Sequence, residues 1–183
     1  MATATADPIT VKLDRLFDST DTDGDGYVDW SDHQRIVDRY LSTYEIDKSD
    51  RRAQALLISY RMQWGELLRH ADGADRLSRE EYHLATRAVS VDTSRFNMVE
   101  GVPHAVFDIM DVDGDNVIGR SEFKKYLDVW GITDPSALDA FNELDLDGDG
   151  EISRQEFIRA AREFFYSPDL DAAGSLLFGR LSS

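Results

Sequence analysis

The chain has no cysteine, which excludes a disulfide scaffold and any thiolate metal site and is compatible with a reducing compartment. Nowhere do roughly 18 apolar residues run together, so no membrane-spanning helix is expected. The opening MATATADPIT lacks a basic stretch followed by an apolar one, and Met1 is followed by Ala2 rather than the glycine that N-myristoylation requires. Neither secretion nor membrane attachment is therefore expected, and a cytoplasmic location is. There is no GxSxG elbow, HExxH helix or phosphate-binding loop, so the chain is not expected to be an enzyme. Methionine occurs only four times, which speaks against an adaptable Met-rich groove for partner helices. Basic residues are in deficit: the net charge of -16 argues against nucleic acid as a partner.

What the chain has instead is concentrated acid. Of its 36 acidic residues, 14 lie in three 12-residue stretches: DTDGDGYVDWSD (Asp21 to Asp32), DVDGDNVIGRSE (Asp111 to Glu122) and DLDGDGEISRQE (Asp145 to Glu156). Each places carboxylates at positions 1, 3 and 5, a residue tolerant of positive φ at 6, an aliphatic at 8 and an acid at 12. A hard cation such as calcium takes six to eight oxygen ligands, and alternate side chains on a tightly curling loop can surround it if position 6 turns left-handed. Gly26 and Gly150 meet that need, and Asn116 can, because asparagine tolerates this region better than most residues. The candidate ligands are thus Asp21, Asp23, Asp25 and Asp32; Asp111, Asp113, Asp115 and Glu122; Asp145, Asp147, Asp149 and Glu156. Position 7 contributes a backbone carbonyl, from Tyr27, Val117 and Glu151. One DxDGD string can be a solvated turn. Three strings sharing an aliphatic at position 8 (Val28, Ile118, Ile152) and a phenylalanine four residues before the loop (Phe17, Phe107, Phe141) form a repeated framework.

A fourth copy is expected in the long gap between the first two. Aligning on an aliphatic at position 8 finds HADGADRLSREE, His70 to Glu81, with Leu77 at 8, Asp72 at 3 and Glu81 at 12. His70, Ala74 and Asp75 stand where ligands or the turn residue should be, so this loop is expected to hold no ion. Its strand residues retain a use: Arg76-Leu77-Ser78 can pair with Tyr27-Val28-Asp29, as Val117-Ile118-Gly119 can with Glu151-Ile152-Ser153. Helices are expected around every loop from apolar spacing, including Trp30 through about Leu41 and about Asp50 through Arg69. Thr133-Asp134-Pro135 reads as a helix start and Ser167-Pro168 as a helix end. The apolar tail residues Leu176, Leu177, Phe178 and Leu181 are expected to pack rather than extend freely.

Four such helix-loop-helix units in 183 residues, a defective second loop, long helices in the first half and a Leu-Leu-Phe-Gly-Arg-Leu tail together resemble the EF-hand superfamily, in particular the sarcoplasmic calcium-binding proteins and their bacterial calerythrin-like relatives. The resemblance implies an all-α, compact single globule in which two pairs of hands face each other, each pair joined by a short two-stranded β ribbon. It implies hand pairs over residues 1–95 and 96–166 and a tail over 167–183 packed on the core. It also implies a monomeric calcium buffer or transporter holding three calcium ions; the alternative is a calcium sensor acting on a protein target. Three departures matter. Asp32 stands where the pattern has glutamate, and its shorter reach favours weaker calcium binding or better magnesium competition at the first loop. Gly119 leaves the ninth-position ligand of the third loop to water. His33 replaces the aromatic that Tyr82, Phe123 and Phe157 supply after the other loops, and packs in the core. Light-emitting photoproteins share the pattern of active loops, and Trp30, Trp64, Trp130, Tyr60 and His104 are candidates to line a cavity, but core packing explains them more economically, and Ser183 stands where that family's terminal proline is expected.

Overall fold

The helices begin where the sequence supplies caps. Asp7 accepts from the Thr10 N–H and Pro8 occupies the first turn of α1 (Pro8–Thr20). At every loop the residue in position 12 is also the third residue of the next helix, where a carboxylate can reach back to the cap backbone. Asp29 and Asp32 form such a reciprocal pair at the start of α2 (Trp30–Thr43), Ser78 and Glu81 at α4 (Arg79–Val91), and Ser153 and Glu156 at α8 (Arg154–Tyr166). Loop closure and helix initiation are thus one set of contacts.

The computed structural model describes residues 7–71, 75–92 and 98–179. The remaining elements are α3 (Arg51–Arg69), α5 (Met98–Met110), α6 (Arg120–Val129), a 3-10 turn over Pro135–Asp139, α7 (Ala140–Leu144) and a second 3-10 turn over Ala173–Leu176. α2 runs past Leu41 to Thr43, and α3 starts at Arg51 with Asp50 as its cap. The start at Asp134-Pro135 gives first a 3-10 turn, with Asp134 accepting from Ser136, and only then α7.

The loops meet in pairs through two antiparallel ribbons. Tyr27–Asp29 (β1) pairs with Arg76–Ser78 (β2), setting Val28 opposite Leu77. Val117–Ile118 (β3) pairs with Ile152–Ser153 (β4), setting Ile118 opposite Ile152. All four of these aliphatic side chains are fully buried, so position 8 anchors each loop to the core from behind. The fold is mostly helical, and one core runs through both pairs. α3 packs on α5, α5 on α8, and α2 on both α3 and α6. Polar contacts tie the same surfaces: Trp130 Nε1 donates to the Tyr40 hydroxyl at 2.9 Å, and the Tyr44 hydroxyl donates to the Glu122 carbonyl at 2.7 Å.

Two features close the end of the molecule. Lys12 is fully buried, and its Nζ donates to the carbonyls of Glu163 and Ser167 at 3.1 and 2.9 Å. Burial pulls the amine below the ordinary lysine range, against the opposing attraction of Asp169 and Glu163. The amine thus caps the end of α8, sharing the Glu163 carbonyl with the Ser167 N–H and taking the Ser167 carbonyl beyond the last turn. Beyond Pro168 the chain folds back, and Leu177 is buried. Phe178 sets its ring edge-on to Trp130 and Phe164, with centroids 4.8 and 4.9 Å apart. Gly174 permits this approach: a Cβ there would lie 2.2 Å from the Ala160 carbonyl oxygen of α8. Leu181 lies outside the described residues.

Candidate metal centres

The first residue of each loop organises the turn. Asp21 Oδ1 accepts from Gly24 N–H at 2.9 Å and its Oδ2 from Gly26 N–H at 3.0 Å. Asp111 does the same with Gly114 and Asn116 at 2.8 and 3.1 Å, and Asp145 with Gly148 and Gly150 at 2.8 and 2.9 Å. These bonds require position 6 to turn left-handed, and φ is 85° at Gly26, 67° at Asn116 and 93° at Gly150. Asparagine therefore performs the glycine's role in the third loop. The position 5 carboxylates of Asp25, Asp115 and Asp149 each accept from the position 7 N–H, at 2.9, 3.0 and 2.9 Å. Tyr27 and Val117 open β1 and β3 and Glu151 directly precedes β4, so each position 7 carbonyl belongs to the turn from loop into ribbon.

Position 12 closes the loop by bridging backbone N–H groups at positions 2 and 9. Glu122 accepts from Val112 and Gly119 at 2.8 and 2.9 Å, and Glu156 from Leu146 and Ser153 at 2.8 Å each. Asp32, one methylene shorter, makes the same two bonds, to Thr22 and Asp29 at 2.9 and 2.8 Å. Burial raises the carboxyl of Glu156, yet the donors of Ser153, Leu146 and Asp147 outweigh it and hold the group below the ordinary glutamate range. In Asp32 burial likewise raises and the donors of Asp29, Thr22 and Arg35 prevail. Both side chains are therefore poised as carboxylates.

Three groups of carboxylate oxygens converge within 4.8 Å: Asp21, Asp23 and Asp25; Asp111, Asp113 and Glu122; Asp145, Asp147 and Glu156. The third and fourth loops thus bring position 12 into the group with positions 1 and 3, whereas the first groups positions 1, 3 and 5. Hard, anionic oxygen donors fit calcium or magnesium and not a soft metal. In the second loop, Asp72 and Ala74 fall outside the described residues, His70 caps the end of α3 just after Arg69, and Glu81 accepts from both the N–H and the hydroxyl of Ser78.

Arg35 has a role that position-by-position reading of the loop missed, because it lies three residues beyond position 12. Its Nη2 donates to Asp23 Oδ2 at 2.8 Å and to Asp32 Oδ1 at 2.6 Å. His33 is buried beneath this loop, its Nδ1 2.9 Å from the Asp29 carbonyl, stacked on Trp30 and tilted against Trp64. Burial pulls its pKa down, opposed by the Asp29 carbonyl and the charges of Asp32 and Asp29. Of the cavity-lining candidates, Tyr60 and Trp130 border a pocket of about 70 Å³, while Trp30 and Trp64 pack on His33. That volume is well short of the roughly 300–1,000 Å³ typical of small-molecule sites.

No helix among the described residues is long and apolar enough to cross a membrane. Residues 13–37 match an EF-hand model, and residues 103–162 a model of an EF-hand domain pair. A sarcoplasmic calcium-binding protein of Perinereis vancaurica tetradentata is 29% identical over 170 residues, covering 93% of this chain and 96% of that protein. A Streptomyces coelicolor calcium-binding protein, described in the context of prokaryotic calcium-mediated regulation, shares 26% identity and a TM-score of 0.72 over 86% of this chain and 97% of that one. The photoprotein mitrocomin of Mitrocoma cellularia covers the whole of both chains with a TM-score of 0.76, but at 18% identity it shares the fold alone. With its repeated loops, its paired ribbons and the two matched segments, the chain carries calcium-binding EF-hands and is similar over nearly its whole length to a sarcoplasmic calcium-binding protein.

Proposed function

We propose that the protein is a monomeric cytoplasmic calcium buffer or carrier that holds three ions. The ligands are Asp21, Asp23, Asp25, the Tyr27 carbonyl and Asp32; Asp111, Asp113, Asp115, the Val117 carbonyl and Glu122; and Asp145, Asp147, Asp149, the Glu151 carbonyl and Glu156. Magnesium competes most at the first loop, where position 12 is aspartate. The second loop braces the first through its ribbon and takes no ion.

The observation that favours a buffer over a sensor is the tail. A sensor needs an apolar groove that a target helix can enter. Here Phe178 lies against Trp130 and Phe164, the Tyr126 hydroxyl donates to the Leu177 carbonyl at 3.1 Å, and Arg15 Nε donates to the Phe178 carbonyl at 2.8 Å. The chain's own end covers that surface. The second reading, a sensor that passes calcium binding to a protein target, is favoured by the regulatory context of the Streptomyces relative.

A hydrophobic dye separates the two. A buffer shows little dye fluorescence with calcium or with chelator, and deleting residues 172–183 raises it even with calcium present. Strong calcium-dependent dye binding by the full chain would replace the buffer with the sensor. Equilibrium dialysis tests the stoichiometry: two or four ions per chain would overturn the three-site assignment.

A further inference from the structure

All three acidic loops carry a cation three residues after position 12: Arg35, Lys125 and Arg159. Two of them turn to other partners. Lys125 Nζ lies 5.5 Å from the centre of the Tyr44 ring, and Arg159 Nε donates to Glu163 at 3.0 Å. Arg35 instead bends back over its loop. Its Nε donates to the Thr22 hydroxyl, its Nη1 to the Ser31 hydroxyl at 3.1 Å, and its Nη2 to Asp23 and Asp32.

The sequence explains why only this cation folds back. The first loop has hydroxyls at both positions 2 and 11, Thr22 and Ser31; the corresponding pairs are Val112 with Ser121 and Leu146 with Gln155. Thr22 also donates to Asp32 Oδ1 at 2.8 Å, so the hydroxyl links the guanidinium to the carboxylate. A guanidinium fixed through all three nitrogens is a directed charge, unlike a cation waving in solvent. Its single positive charge offsets part of the negative charge of Asp23 and Asp32, two of the carboxylates assigned to the ion.

We propose that Arg35 is a resident counter-cation of the first loop, which competes with a divalent ion for Asp23 and Asp32 and sets that loop's affinity below those of the third and fourth. The inference rests on reading the first loop as a divalent site. An ion entering there must displace the guanidinium from the two carboxylates or share them with it at short range, and either costs binding energy that the other loops do not lose. In return, the guanidinium offsets the repulsion among the loop's acids when calcium is scarce.

The test is Arg35→Gln in the full chain, which removes the charge and keeps most of the side chain, with Arg159→Gln as the control. Two-dimensional NMR during calcium titration follows the amides of Gly26, Asn116 and Gly150, one in each loop. Arg35→Gln is expected to move the Gly26 transition to about tenfold lower calcium, the Coulomb scale of one charge near a divalent ion at water-like screening. The Gly150 transition should stay in place, and Arg159→Gln should leave Gly26 unmoved. Melting provides an independent sign: the variant should melt lower than the parent in chelator, and the deficit should shrink or reverse as calcium rises. A purely structural arginine would give the same deficit in both. If Arg35→Gln does not fold in chelator, Arg35→Lys, which keeps the charge without the four-point hold, should give a smaller shift in the same direction.

A Gly26 transition that stays put or moves to higher calcium overturns the inference and makes Arg35 a residue that positions Asp32 for the ion. Failure of the underlying reading looks different: Gly26 responds to calcium in neither protein, and dialysis of the parent chain gives two ions.

Discussion

Glu156 and Asp32 close their loops with the same pair of hydrogen bonds, although one side chain is a methylene longer than the other. Glu156 makes those bonds and still joins Asp145 and Asp147 in one group of converging oxygens. Asp32 makes them while accepting from Arg35, and the converging group of its loop is Asp21, Asp23 and Asp25. The backbone frame of a loop can thus be preserved while its charge is handled differently. In the fourth loop the acids are left to each other; in the first, an arginine lies among them. The two hands of the fold therefore differ in what stabilises them without metal.

The largest expected effect comes from removing the ions altogether. Ligands bound only by the native state contribute RT ln(1 + [L]/Kd) at each site, roughly 2.7 kcal/mol per site at about a hundred times Kd. A chelator should therefore lower the melting temperature by several degrees or more, and the third and fourth loops, whose carboxylates accept no guanidinium among the described residues, should account for most of it. Site-resolved hydrogen exchange of the two ribbons measures this division. Equal loss of protection in both ribbons would erase the contrast.

Next in size is Glu156→Gln. The amide has one acceptor where the carboxylate has two, so either Leu146 or Ser153 loses its partner and the ion loses a charged ligand. Calcium affinity at the fourth loop should fall by about a hundredfold, at least the loss seen when a supporting partner of a metal ligand is removed. The third loop should weaken through the shared ribbon, and the first should hardly change. Loss confined to the first loop would invert the ranking of the sites.

Much of this was legible in the sequence because the constraints are local. The period of the carboxylates, the turn residue at position 6 and the aliphatic at position 8 are tied to one another over 12 residues, and even Asn116 at positive φ could be read from its backbone tolerance. The ribbons followed from the same alignment, since position 8 of one loop must face position 8 of its partner. What escaped was long-range or directional. Nothing in the spacing of Lys12 announces that it serves carbonyls of Glu163 and Ser167, more than 150 residues away. Gly174 looks like one more flexible tail residue until the Ala160 carbonyl is found against it. Arg35 could have been found only by asking which loop offers hydroxyl anchors to the cation that follows it.

Asp32→Glu would make the first loop more like the fourth from the other side. The added methylene lets position 12 bind in a bidentate manner, so calcium affinity at the first loop should rise several-fold and the calcium-to-magnesium ratio with it, because magnesium prefers monodentate oxygens in a small octahedron. Competition titrations that follow the Gly26 amide measure both. Unchanged affinities for the two ions would show that reach at position 12 is not what distinguishes these loops.

The smallest expected effect concerns the residue just behind the loop. Phe157 packs in the core after the fourth loop, and His33 is buried at the equivalent place after the first. Burial pulls His33 below the ordinary histidine value of about 6.5 despite the nearby Asp29 carbonyl and the charges of Asp32 and Asp29, so the folded protein holds it neutral. The unfolded chain takes up the proton more readily. Stability attached to this group is therefore fully present above about pH 6.5 and is lost as the pH falls from there toward the depressed folded value, with a slope of at most about 1.4 kcal/mol per pH unit. His33→Phe removes the titration and leaves the carboxylates and His83 common to both proteins. In chelator, the parent's melting temperature should drop more steeply than the variant's between pH 7 and 5.5, and the two curves should run parallel above pH 7.5. Parallel curves through the acid range as well would mean that the imidazole accepts its proton without leaving the core, and that the first hand tolerates a charge where the fourth has a phenyl ring.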